Sequence, residues 1–72
     1  MELKSATVEG QTVKVGDFVG FKCDIEQGGQ ITKITRDSYG KEVLHLYSEW
    51  GFEGGYIGGQ NHTTMRAEDC WL

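Results

Sequence analysis

Apolar residues in this chain recur at alternate positions within short runs, and glycine-bearing stretches separate several of them. Alternation at a period of two is the mark of a strand with one buried face. Ala6-Thr7-Val8 predicts a short first strand, and Glu9-Gly10-Gln11 a turn. Thr12-Val13-Lys14-Val15 predicts a second strand, with Val13 and Val15 on one face. After a turn at Gly16-Asp17, Phe18 to Cys23 places Val19, Phe21 and Cys23 together and leaves Phe18 on the opposite face, at a bend. Gln27-Gly28-Gly29-Gln30 predicts a tight hairpin turn, because paired glycines reach the positive φ that primed turns require. Ile31 to Thr35 then reads as a strand. Its two isoleucines, Ile31 and Ile34, are three apart, so a bulge is expected between them.

Asp37 to Lys41 reads as a turn, and Glu42 to Tyr47 as a strand with Leu44 and Leu46 on one face. Val43, His45 and Tyr47 fall on the other face, so both sides are partly apolar. From Trp50 to Asn61 the alternation stops, and five of twelve residues are glycine. This stretch predicts a long loop or two short strand pieces around Gly-Gly turns. His62 to Arg66 predicts a strand, Ala67-Glu68-Asp69 one 3₁₀ turn, and Cys70-Trp71-Leu72 a short last strand. The expected core is Val19, Phe21, Ile31, Ile34, Leu44, Leu46 and Trp71.

Composition strengthens the β reading. Five Val, four Ile, six Thr and eight aromatics suit pleated surfaces, whereas Ala and Leu together number only six. Eleven glycines and no proline mean that turns rely on backbone freedom rather than a locked φ. Residues 1–72 are too few for two domains and leave little room for an internal active-site cavity. The chain carries no apolar run long enough to span a membrane and no apolar leader segment. The expectation is a cytoplasmic protein that does not enter membranes.

Two stretches together resemble the SH3-like small β-barrels, including KOW-type domains. Val15-Gly16-Asp17-Phe18-Val19-Gly20-Phe21 resembles their opening strand, and Gly29-Gln30-Ile31-Thr32-Lys33-Ile34 their second. Arg66-Ala67-Glu68-Asp69-Cys70-Trp71 resembles their 3₁₀ turn and closing strand. The resemblance spans about residues 12–72 and implies an all-β barrel of about five short strands, with a 3₁₀ turn before the last. It also implies that Cys23 and Cys70 lie on neighbouring strands. KOW members are usually basic, whereas this chain carries a net charge of -4. The motifs of proline-binding SH3 domains are missing, so their peptide groove is not carried over. Very small acidic, Gly- and Trp-bearing chains also resemble phage-encoded proteins.

Candidate chemistry is thin. Cys23, Cys70, His45 and His62 comprise the right donors for zinc, but none of them forms the close ligand pair that structural sites use. Two reduced thiols and two partly exposed imidazoles are the simpler expectation, and a Cys23–Cys70 disulfide would require an oxidising compartment. Ser38, Ser48 and Cys23 carry no nucleophile signature around them. The carboxylates Glu42, Glu49 and Glu53 are too spread for an acid/base pair, and Asp24, Glu26 and Asp37 lack the regular spacing of a calcium loop. The glycines of 51–59 lack the order and the Lys of a phosphate loop. No cofactor, metal or enzymatic activity is expected.

What remains is recognition. Glu49, Trp50, Phe52, Glu53 and Tyr56 combine large aromatics with carboxylates and form the expected ligand-binding segment. Trp50 and Ile57 either plug the end of a small barrel or, in the case of Trp50, contact a ligand. The leading expectation is a non-enzymatic module that binds a protein partner whose surface is basic. The alternative is a KOW-like nucleic-acid binder using Lys22, Lys33, Arg36, Lys41 and Arg66, with Tyr39 or Trp50 stacking on a base.

Overall fold

The computed structural model describes residues 2–72. Seven strands follow one another: β1 (Ser5–Val8), β2 (Gln11–Lys14), β3 (Phe18–Cys23), β4 (Ile25–Arg36), β5 (Glu42–Tyr47), β6 (His62–Arg66) and β7 (Cys70–Trp71). Two 3₁₀ turns, Gly55–Ile57 and Ala67–Asp69, interrupt the second half. The fold is all-β, with the expected 3₁₀ turn directly before the last strand. β3 to β7 form one antiparallel sheet in the order β6-β5-β4-β3-β7, and β1 with β2 forms a separate hairpin. The sheet has two free edges, β6 and β7, so the strands do not close into the expected barrel.

The hairpin covers one face of the sheet. Ala6, Val8 and Val13 join Val19, Phe21, Ile31, Ile34, Leu44 and Leu46 in the core, with Phe52, Ile57, Ala67 and Cys70 filling in around them. The strand phases of β3 and β5 are those the alternation predicts. Val15 departs from its predicted phase: β2 ends at Lys14, and Val15 is half exposed at the Gly16 turn. The predicted bulge is present. Ile31 pairs with Leu46 and Lys33 with His45, leaving Thr32 as the extra residue that lets both isoleucines point inward.

The hairpin turn expected at Gln27–Gln30 is not there. The chain reverses earlier, at Asp24, which stands alone between the paired residues Cys23 and Ile25 with φ 67°. Aspartate tolerates that left-handed conformation better than most side chains. Gly28 and Gly29 instead lie in mid-strand, opposite Gly20 and Val19. They are glycines because of what crosses them. A β-carbon on Gly29 would stand 3.0 Å from Cζ of Phe52 and 3.2 Å from Cβ of Leu46, and one on Gly28 would stand 2.9 Å from the Val19 carbonyl oxygen.

Trp71 also departs from expectation. Its strand partner is Gly20, and Cys70 pairs with Phe21. Because Phe21 and Cys70 point into the core, Gly20 and Trp71 face the other way. Trp71 is therefore half-buried on the outer face rather than a core residue.

Candidate functional site

The outer face of the sheet follows from register. Val19, Phe21, Ile31 and Leu46 point inward, so Phe18, Gln30 and Tyr47, which pair across three strands, point outward. His62 extends that row by pairing with Tyr47, with ring centroids 5.1 Å apart. The neighbouring row is Gly28, Gly20 and Trp71. Two glycines thus leave a depression in the sheet surface, with aromatic side chains standing around it. Phe18 is 70% exposed and Trp50 90% exposed.

The depression divides into two shallow troughs that share Phe18 and Gly28. One, of about 300 Å³, is bounded by Phe18, Tyr47, Glu49 and Trp50 over the backbone of Gly28 and Gly29. The other, of about 440 Å³, runs past Gly20 and Glu26 to Trp71 and Leu72.

The five residues singled out from the 49–57 segment separate in three dimensions. Glu49 and Trp50 reach the outer-face trough. Phe52 does not: it is 2% exposed, lies over Gly29, and packs on Phe21 at 5.6 Å between centroids. It is a core residue and is removed from the candidate site. Ile57 is the plug, at 1% exposure, and Trp50 is not. Tyr56 is exposed but lines different hollows, beside Thr64 of β6. Glu53 is exposed and its side chain joins neither trough.

Nor is the segment a freely flexing loop. The Gln27 side-chain amide donates to the carbonyls of Glu53 (2.8 Å) and Cys23 (3.3 Å), and its oxygen accepts from the Glu53 N–H at 3.0 Å. The Asp24 carboxylate accepts from the Gly55 N–H at 2.5 Å. Gly51 N–H donates to Ser48 O, Phe52 N–H to Gln60 O, and Gly59 N–H to Phe52 O. Asn61 closes the base by donating its side-chain N–H to the carbonyls of Ser48 and Glu49. Trp50 and Glu49 therefore stand on a braced turn.

Phe18, Tyr47, Gly20 and Gly28 are site residues that the sequence reading passed over. The signal was present: Phe18 and Tyr47 are large aromatics in the outward phase of strands whose inward phase is already apolar.

The other candidate groups do not converge. His45 Nε2 lies 2.8 Å from Thr35 Oγ1. Burial, and then Lys33, lower its pKa from 6.5. Among the described residues no hydrogen bond joins either imidazole to a serine or cysteine, and no group of three His, Cys, Asp or Glu is placed to hold a metal ion. Cys23 and Cys70 lie on the adjacent strands β3 and β7 as free thiols. No helix of the described residues is long and apolar enough to cross a membrane. Lys22 and Lys33 share the outward phase of β3 and β4 but line neither trough, and several other basic residues are engaged. Arg66 Nε is 2.9 Å from Asp37 and sits over the Tyr39 ring at 5.5 Å, and Lys41 is 3.1 Å from Glu68. Arg36 donates to the Gly40 carbonyl at 2.7 Å.

Comparison with known protein families, with curated proteins and with solved structures finds no match to this chain.

Proposed function

We propose that the protein is a non-enzymatic binding module, and that the outer sheet face docks a protein partner bearing basic side chains. The observation that carries this reading is the aromatic rim of the depression: Phe18, Tyr47, Trp50 and Trp71 surround a floor of two glycines. Burying a side chain such as Phe contributes about 1.5–3 kcal/mol. A small domain that leaves Phe18 and Trp50 in water forgoes that gain, and contiguous exposed apolar surface marks a docking site. The charge around the rim selects the partner. Glu49 stands in one trough and Glu26 in the other, and the chain is net acidic, which favours approach of a basic surface. Nucleic acid is the weaker reading, because Arg66 and Lys41 are already paired with carboxylates.

The test is a titration of the isotope-labelled protein, followed by NMR. The probes are extended peptides in which Arg and Lys alternate with apolar residues, the same peptides carrying Asp and Glu instead, and single-stranded oligothymidine. The basic peptides should shift Phe18, Gly28, Trp50 and Trp71, and the acidic ones should not. The reading is lost if the basic peptides leave that face unmoved, or if oligothymidine binds instead through Arg36, Lys41 and Arg66.

A further inference from the structure

The two troughs are not equivalent, and the difference bears on which basic side chain the face receives. In the trough beyond Gly20, Lys22 is the cross-strand neighbour of Glu26 on the same face, without an ion pair between them. In the trough at Trp50 no lining residue is basic. Glu49 forms no ion pair among the described residues. Gln30 donates its side-chain N–H to the Gly16 carbonyl at 3.3 Å, which turns its oxygen into the free end of the amide. The lining thus offers a carboxylate and an amide oxygen as acceptors, beside the hydroxyls of Ser48 and Tyr47 and the indole N–H of Trp50. Around them stand the rings of Phe18, Tyr47 and Trp50.

We infer that this trough is the seat of one arginine side chain of the partner; the inference rests on the docking role proposed above. A guanidinium is planar and weakly hydrated, stacks on aromatic faces, and meets a carboxylate with two parallel N–H donors. An ammonium is compact and strongly hydrated, and in so open a site it keeps its water. The aromatic walls therefore favour arginine over lysine, and Glu49 excludes anionic and neutral isosteres. The turn that carries Glu49 and Trp50 is already braced by Asn61 and by the Gly51 N–H, so little ordering cost falls on binding.

The experiment compares three capped tripeptides, Gly-Arg-Gly, Gly-Lys-Gly and Gly-citrulline-Gly, titrated into the full chain while the Trp50 indole N–H resonance is followed. Citrulline keeps the shape of arginine without its charge. The arginine peptide should shift that resonance saturably and bind about threefold or more tighter than the lysine peptide, as one or two cation–π contacts imply. The citrulline peptide should leave it still. Glu49→Gln should weaken the arginine peptide by a similar factor, and Trp50→Ala, followed through the backbone amides of Phe18 and Gly28, should abolish the discrimination. Both positions are exposed, so neither change should alter the melting curve. Equal binding of arginine and lysine at the trough overturns the arginine seat. So does an unmoved Trp50 indole when the longer basic peptides still shift the Phe18–Trp71 face; in that case the docking role stands without it. If the longer peptides fail as well, both readings fall.

Discussion

Trp71 occupies the space in which any side chain at position 20 would begin. The two residues are cross-strand partners, and an added β-carbon on Gly20 would overlap the pyrrole edge of the indole. One glycine therefore holds the last strand's aromatic against the sheet. Gly20→Ala should displace Trp71 and cost about 1–3 kcal/mol, the usual penalty of overpacking. Combining it with Trp71→Ala should cost less than the sum of the two single changes, because the clash is then gone. Urea denaturation of the four proteins in this cycle checks it.

Trp50 and Phe52 are two residues apart and have opposite fates. Phe52→Ala should lower stability by about 3–5 kcal/mol, since it empties the space over Gly29 beside Phe21. Trp50→Ala should change it by no more than about 0.5 kcal/mol, as an exposed substitution does. Thermal melts of the two variants should fall far apart; equal melts would contradict their placement.

Gln27 makes with one side chain the contacts that a strand makes with its backbone. Gln27→Ala leaves the Glu53 N–H and two carbonyls without their partner and, since both Glu53 bonds are exposed, should cost about 0.5–1.5 kcal/mol. Amide exchange at Glu53 should rise first, before the core strands lose protection. Exchange that stays slow there would show that the turn does not need the brace.

Asp37 organises the turn between β4 and β5. The backbone N–H of Lys41 is the main cause that holds its carboxyl below the ordinary 3.8, helped by the Tyr39 N–H and by Arg66. A carboxyl with a depressed folded pKa stabilises the fold above the unfolded value. As the pH falls through 3.8 and toward the folded pKa, the unfolded chain takes up the proton first and the contribution fades. The melting-temperature gap between wild type and Asp37→Asn should therefore be open at neutral pH and close on the acid side of 3.8. A gap that widens on acidification would reverse the sign.

Cys70 is buried, and its thiol is pushed up to about 11, first by burial and then by Asp69. Since the thiolate is the reactive form, iodoacetamide at mildly alkaline pH should modify half-buried Cys23 in the native protein and spare Cys70. Both should react after denaturation. Mass spectrometry of the two peptides separates the outcomes.

Alternation along single strands determined much of this fold. It sets the inward phase of Val19, Phe21, Leu44 and Leu46, and the odd spacing of Ile31 and Ile34 demands the bulge at Thr32. Both are local, since the pleat turns successive side chains to opposite faces whatever lies across the sheet. Expecting closure was a different matter. The number and order of short strands are compatible with a barrel or an open sheet, and only the pairing of the edges distinguishes them.

The glycines and the loop aromatics were decided by partners distant in sequence. Gly28-Gly29 has the composition of a turn, yet Gly29 exists to admit Phe52 and Leu46 and Gly28 to clear the Val19 carbonyl, while the reversal falls to Asp24. Between Trp50 and Ile57 there is no period to say which ring turns inward. Phe52 goes in because Gly29 leaves it room across the sheet, and Trp50 stays out because the turn it stands on is tied to Asn61 rather than to the core. A side chain's face on a strand is a property of its neighbours in sequence. The meaning of a missing side chain, and the direction of a ring in a loop, belong to whatever the fold brings against them.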